Sequence, residues 1–284
     1  MKLLITGASG FLGRRAAVHF SALGYQVLTP SHGELNVTDR SAVRCWFQEN
    51  RPQAVMHCAA VSDTGACQRD PEQTAKINVD GSTHLAAACA NAGAKLVFCS
   101  SDQVYVGSPL PGPHAEQESL APGNVYAQQK LLAEQECTQL CPDTVSLRLS
   151  WMYSTDFYPG EHGHLQTTLL SALQDDTKPL SWPIHDHRGI TDAADVVTQL
   201  PSALYLPAGV YNFGAENDTD TFHTMERIFS RLGLTQALHR LHPNTMAFAD
   251  APRDIRMNTS LAASLGIRFG STKDGLTKAL KQYL

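Results

Sequence analysis

The 284-residue chain contains no run of basic residues, and its 22 lysines and arginines are outnumbered by 27 aspartates and glutamates. A formal charge of -5 gives no electrostatic footprint for a polyanion, so nucleic acid is not an expected partner. Long apolar runs are absent too. Glycines, Arg14 and Arg15 interrupt the first twenty residues, which read as neither signal peptide nor membrane span, and no membrane partner is expected. The seven cysteines (Cys45, Cys58, Cys67, Cys89, Cys99, Cys137 and Cys141) are odd in number and include no C-x-x-C pair. Reduced thiols in a cytoplasmic protein are the expectation. His162, His164, His185 and His187 lie in glycine- and proline-broken stretches without helical ligand spacing, so no metal is expected. There is no repeat and no low-complexity segment.

What the chain does have is an alternation. Lys2 to Ile5 is a short apolar run bounded by glycine, which predicts a buried strand. Arg14 to Leu23 has helical periodicity, and Gly24 stops it as a C-terminal cap would. YQVLTP (25–30) predicts a second strand. Ser41 to Asn50 predicts a helix, capped by Asp39 or Ser41 and stopped by Arg51-Pro52. AVMHCAA (54–60) is a third buried strand, within which His57 reads as a core histidine satisfied by main chain. Pro71 to Ala92 reads as one long helix, Lys95 to Cys99 as a strand, Val125 to Leu140 as a helix and Thr144 to Leu149 as a strand.

Strands separated by helices of this length imply right-handed crossovers and a parallel sheet covered on both faces. The expected class is α/β, a Rossmann-type doubly wound fold over residues 1–150. Beyond Trp151 the alternation lapses, and residues 151–284 read as a small, interleaved substrate lobe. Within it GVYNFGA (209–215) would return to the sheet, while HTMERIFSRLGL (223–234) and SLAASLGI (260–267) look like amphipathic helices. This lobe would close over the sheet's carboxyl edge, where ligands of such folds bind.

TGASGFLG (6–13) follows the first strand and opens the first helix, with glycines at intervals of three rather than as G-x-G-x-x-G. That context gives the pattern meaning. Gly7 and Gly10 let the main chain turn and approach a pyrophosphate without a Cβ, and the helix start presents N–H groups to it. Ser9, Gly10, Phe11 and Leu12 would form the cradle, and Gly13 would let the helix pack closely on the strands. The alternative is a glycine-rich turn with no ligand. The second strand ends in Thr29-Pro30-Ser31-His32, with no acid before Glu34. An acid there would bond a ribose 2′-hydroxyl and favour NAD. Ser31, His32 and the nearby Arg14 and Arg15 would accommodate a 2′-phosphate, which favours NADP with NAD still possible. The alternative for His32 and the arginines is plain surface.

Tyr126 and Lys130 stand four apart in VYAQQKLL, hence on one face of a helix. Ser100 and Ser101 follow the strand KLVFC, twenty-five residues before the tyrosine. A glycine loop, a serine at that strand end and Tyr-x-x-x-Lys, in this order, resemble the extended short-chain dehydrogenase/reductases of the NAD-dependent epimerase/dehydratase superfamily. LNVTD (35–39), the Cys58–Ala60 stretch, AKINVDGSTHLAAAC (75–89), VSLRLSWMY (145–153), HDHRGITDAADVV (185–197) and APRDIRMNTSLAASLGI (251–267) resemble segments of dTDP-4-dehydrorhamnose reductases in particular. Asn36 departs from the aspartate usual there, and Gln103 replaces the acid that 4,6-dehydratases place after their Thr-Asp, which disfavours dehydration.

The resemblance implies NAD(P)-dependent reduction of the keto group of a nucleotide-linked deoxysugar. Carbonyl reduction needs a proton donor, and free tyrosine titrates near pH 10, too high for ready exchange. The Lys130 ammonium would lower that value; it would also bond the nicotinamide ribose. Ser101 would orient the substrate oxygen and stabilise developing charge. Cofactor contacts implied by the likeness are Asn36, Val37, Cys58, Ala59, Ala60, Asn78 and Ser100; for Asn78 a plain helix-surface amide is the alternative. Implied substrate contacts are Val61, Ser101, Asp102, Gln103, Trp151 and Arg188. Two other functions fit the same motifs. One is an epimerase that keeps NAD tightly bound; the other is a non-catalytic NADP-binding regulatory subunit of the methionine adenosyltransferase type. Alanine- and leucine-rich outer positions on the helices of residues 78–92 and 125–140 suggest a homodimer.

Overall fold

A computed structural model describes residues 1–156, 158, 169–173 and 177–284. His162 and His164 lie outside the described residues. Six parallel strands form the central sheet in the order β2 (Gln26–Leu28), β1 (Lys2–Thr6), β3 (Ala54–His57), β4 (Lys95–Ser101), β5 (Thr144–Leu149) and β10 (Gly209–Phe213). Side chains alternate between its faces. Leu3 and Ile5 join one core with Leu12, Ala16 and Phe20 of α1 (Phe11–Ala22). Leu4 points into the opposite core with Val43 and Phe47 of α2 (Arg40–Asn50). Burial on both faces is why β1 reads as an unbroken apolar run.

Between β3 and β4 the chain forms α3 (Thr64–Arg69), α4 (Pro71–Ala75), a π-turn (Lys76–Asp80) and α5 (Gly81–Ala92), and α6 (Val125–Leu140) follows β4. The long helix expected over Pro71–Ala92 is thus interrupted. The wide turn carries Asn78 inward to hydrogen bonds with Val61 and Gln129, and such turns commonly mark functional positions. β2 is shorter than its apolar stretch because Pro30 lacks an N–H for the ladder. α1 begins at Phe11, ahead of the periodic stretch. On α6 the exposed positions are Gln128, Leu132, Gln135, Thr138, Gln139 and Leu140, whereas Ala127, Ala133 and Cys137 turn inward. The outer face is therefore richer in glutamine than its composition suggested.

Past β5 the short strands pair off: β6 (Trp151–Tyr153) with β9 (Ile190–Asp192), β7 (Leu180–Pro183) with β11 (Leu241–Asn244), and β8 (Asp186–His187) with β12 (Arg253–Asp254). Trp182, Ile190, Met225, Ile228, Phe229 and Leu276 build a separate core there. α7 (Ala193–Ala203) instead returns to the first core through Val196, Val197 and Leu200, and β10 pairs with β5. Strand order reverses between β1 and β3, which opens a crevice beyond their carboxyl ends.

Candidate active site

The crevice is a cleft of about 620 Å³ running from Gly10, Phe11 and Leu12, past Cys58 and Ala60, to Ser100–Gln103, Tyr126, Lys130, Trp151 and Arg188. Gly7 adopts φ +66°, and a Cβ there would stand 2.7 Å from the Ala59 nitrogen. At Gly13 a Cβ would lie 2.2 Å from the Gly7 carbonyl oxygen, so the helix can enter only with glycine at that point. Gly10 precedes the helix with no side-chain cap, which leaves the first-turn N–H groups of α1 available at the cleft wall. Among the expected cofactor and substrate positions, Gly7, Ser9, Arg14, Ser31, His32, Asn36, Val37, Ala59, Val61 and Asn78 lie beyond the cleft's own lining.

A hydrogen-bonded chain ties this loop to α6. The Thr6 hydroxyl meets His57 Nδ1 at 2.7 Å and His57 Nε2 meets the Ser82 hydroxyl at 2.9 Å, while Ser82 donates to the Asn78 carbonyl at 2.7 Å. Ser82 spends its proton on that carbonyl, so His57 donates from Nε2 and accepts from Thr6 at Nδ1. His57 is therefore satisfied by side chains rather than by main chain. Burial drives its pKa down to about 3, with the Lys130 charge adding to the effect, so it stays neutral. Asn78 accepts from the Val61 N–H at 2.8 Å and donates to the Val61 carbonyl at 3.0 Å and to Gln129 at 2.8 Å. Its amide is thereby a clamp between loop and helix. Gln129 in turn donates to the Pro71 carbonyl and to Thr74.

Ser101 ends β4 and caps the tight turn Asp102–Tyr105 by accepting from the Gln103 N–H at 3.2 Å. Asn124 caps α6 at Ala127, placing Tyr126 in the first turn and Lys130 one turn on. The three line the cleft together: the Ser101 hydroxyl donates to Asp102 Oδ1 at 3.3 Å, and the Lys130 ammonium lies 4.3 Å from the Phe98 ring centre. Burial holds the Tyr126 hydroxyl above its ordinary value; the neighbouring Ser101 opposes this and the Asp102 charge reinforces it. The depression expected from Lys130 is not among the causes that set Tyr126; desolvation dominates, and Tyr126 rests as the phenol. Burial also pushes the Lys130 ammonium down.

At the far end Arg188 donates to Asp102 at 2.9 Å and stacks over Trp151 at 4.9 Å. Gln103 Oε1, Arg188 Nε and Ser100 Oγ are buried without protein partners, which marks this end as polar and ligand-ready. Arg253 also lines the cleft, held by both oxygens of Asp186 at 3.1 and 3.0 Å. It escaped the sequence reading although APRDIRMN contains it, because nothing local ties residue 253 to residue 186. Ser62, Thr64, Cys99, Ser150, Met152 and Tyr153 were missed likewise.

Around the expected ribose end, Glu34 folds back to accept from the Ser31 N–H and hydroxyl, both at 2.7 Å. An acid thus reaches the β2 loop despite arriving late in sequence. Arg15 is buried and bonded to Ser154, the Phe11 carbonyl and the Asp156 carbonyl, which takes it out of any phosphate role. Arg14 and His32 remain at the surface side, and Asn36 turns inward on Thr38. Among the described residues, no group of three or more His, Cys, Asp or Glu side chains could hold a metal.

The sequence profile described as RmlD substrate binding domain matches residues 1–284. A dTDP-4-dehydrorhamnose reductase of Streptomyces griseus is 30% identical over 250 residues, spanning 85% of this chain and 79% of that protein. Methionine adenosyltransferase 2 subunit beta of Pongo abelii is 25% identical across 94% of this chain and 83% of its own length. The crystal structure of dTDP-4-dehydrorhamnose reductase from Bacillus anthracis in complex with NADP superposes with a TM-score of 0.83 at 23% identity, covering 99% of this chain and 98% of that one. Matched from end to end by the profile, and built as its glycine loop and Tyr-x-x-x-Lys helix imply, the chain belongs to the RmlD substrate binding domain family.

Proposed function

We propose that this protein is an NADP-dependent oxidoreductase that reduces the keto group of a nucleotide-linked deoxysugar, as its reductase relatives' names describe. The carrying observation is the buried Tyr126 phenol lining, together with Ser101 and Lys130, a cleft that begins at an uncapped helix start. The residues present fit a dinucleotide: Gly7 and Gly13 clear a path for a backbone cradle, and the first-turn N–H groups of α1 suit a pyrophosphate. Gly10, Phe11 and Leu12 would hold that group, with Cys58, Ala60 and Lys130 further along the cleft. When bound, NADPH supplies the hydride. Tyr126 donates its proton to the substrate oxygen, Ser101 orients that oxygen, and the Lys130 charge favours the phenolate left behind. Asp102, Gln103, Trp151 and Arg188 face the sugar nucleotide.

We further place the protein in the cytoplasm, in keeping with seven unpaired cysteines, and expect a homodimer through α5 and α6 with the exposed Leu132 and Leu140 at its seam. The test is NADPH oxidation against a panel of nucleotide-ketosugars. Net consumption with a 4-keto-6-deoxysugar supports the reductase. An epimerase would copurify with NAD and consume no NADPH, and a regulatory subunit would bind NADPH without turnover.

A further inference from the structure

Neither the Cys58 thiol nor the Cys99 thiol takes part in the proton and hydride transfer above, yet their sulfurs lie 3.6 Å apart on the floor of the cleft. His57 pairs with Phe98 at the end of the parallel β3–β4 ladder, and the two cysteines are the residues that directly follow that pair. Neighbouring strands run about 4.8 Å apart, within the roughly 4.4–6.8 Å between Cα atoms that a disulfide accepts. Closing the bond therefore asks for side-chain rotation and no strand movement. Cys58 is half-buried at the cleft surface, whereas Cys99 is buried beside it. The other buried cysteines, Cys67, Cys89, Cys137 and Cys141, do not line this cleft.

We propose that Cys58 and Cys99 are an oxidation site, closing to a reversible disulfide when a hydroperoxide enters the cleft and so obstructing the cofactor floor. The Cys99 sulfur attacks one peroxide oxygen, the O–O bond breaks, and the alcohol (or water) leaves carrying the thiol proton. Cys99 is then a sulfenic acid. Cys58 displaces its hydroxyl, forming the S–S bond, and the Cys58 proton leaves with that hydroxyl as water. Two thiols are oxidised by two electrons and one peroxide is reduced by two. The Lys130 ammonium favours the thiolate form at both sulfurs, against the effect of burial. The bond restricts the Cys58 segment, which runs directly into Ala59, the residue whose backbone Gly7 must approach.

The cofactor consequence rests on the NADP reading; the disulfide does not, and the experiment separates them. Reduced protein is treated with hydrogen peroxide, with and without saturating NADPH, then digested without reductant for mass spectrometry. A linked peptide pair containing Cys58 and Cys99, lost on dithiothreitol treatment and suppressed by NADPH, is expected. NADPH affinity, read by fluorescence, should weaken by roughly tenfold or more in the oxidised protein and return on reduction. Cys99→Ala, and Cys99→Ser as a second variant, should each keep its own untreated affinity after peroxide. Linkage of a different pair, or none in the cofactor-free protein, overturns the proposal. Failure of the reduced protein to bind NADPH instead counts against the cofactor reading, and the peptide map still decides the disulfide.

Discussion

Arg188 Nη2 donates to Asp102 Oδ2 at 2.9 Å, joining the turn after β4 to the short-strand region through two almost fully buried side chains. The pair stands beside Tyr126, whose hydroxyl feels the Asp102 charge. Burial pushes the Asp102 carboxyl up, and Arg188 is the chief force holding it down.

Removing Arg188 therefore leaves a buried carboxylate uncompensated. Arg188→Met is expected to cost about 3–5 kcal/mol of stability at neutral pH. A carboxyl whose folded pKa is raised contributes stability below its unfolded value and loses it as pH rises. The deficit should thus shrink as the pH is lowered toward the usual carboxylate range. Adding Asp102→Asn should restore part of the loss. Urea unfolding of the four proteins in this cycle checks the coupling, and purely additive losses would show the pair to be inert.

His57 gives the opposite pH sense. Its pKa of about 3 in the fold lies below the ordinary 6.5, so its contribution is complete above 6.5 and is lost as pH falls toward 3. Protonation would force a second donor against the Thr6 hydroxyl and open the chain to Asn78. Stability should fall below pH 6.5 at up to about 1.4 kcal/mol per pH unit from this residue. His57→Gln should remove that part of the slope. Unfolding midpoints collected between pH 7 and 4 decide it, and parallel curves for the two proteins would refute the assignment.

His57 also shows where the sequence stopped being legible. Glycine spacing, strand alternation and Tyr-x-x-x-Lys are local patterns, and they located the sheet, the loop and the Ser101–Tyr126–Lys130 constellation. The partners of His57 are 25 and 51 residues away, and the helix–loop clamp of Asn78 depends on a π-turn that no periodicity announces. Arg15 looked like a phosphate ligand because proximity in sequence says nothing of burial. Arg253 needed the pairing of β12 with β8 before it could be seen beside Asp186.

Lys130 illustrates function held at the expense of stability. Burial depresses its ammonium, so the folded pKa lies below the unfolded one and stability from this group is lost as pH falls through that lowered value. Lys130→Met should stabilise the protein by about 0.5–2 kcal/mol at neutral pH. The advantage should close as pH approaches 10.5, the ordinary lysine value from which it is lowered. NADPH-dependent reduction should be abolished by the same change. Denaturant melts at pH 7 and above pH 9, with activity assayed in parallel, test both halves; a variant less stable than wild type contradicts the account.

Glu34 holds the Ser31 hydroxyl that a 2′-phosphate would use. Glu34→Gln removes a negative charge from that loop and should raise the preference for NADPH over NADH a few-fold, an effect that fades at high salt because the site is exposed. Paired affinity titrations at low and high ionic strength measure it, and an unchanged ratio would place the ribose elsewhere.

Tyr126→Phe separates binding from chemistry. Phenylalanine keeps the ring in its buried slot on α6 and removes only the hydroxyl, in the cleft that Ser101 also lines. NADPH affinity should stay as in wild type while ketosugar reduction falls by roughly 10²–10⁴-fold, the scale of one proton-transfer group. Because burial keeps the wild-type hydroxyl above its ordinary value, Tyr126 stays protonated across the neutral range. The wild-type reduction rate should accordingly show no tyrosine ionisation limb between about pH 6 and 9, whereas the reverse oxidation, which requires the phenolate, should rise with pH. Steady-state rates in both directions across that range, alongside NADPH fluorescence titration of the variant, test the assignment. A Tyr126→Phe variant that still reduces substrate at a wild-type rate would move the proton donor to another group in the cleft.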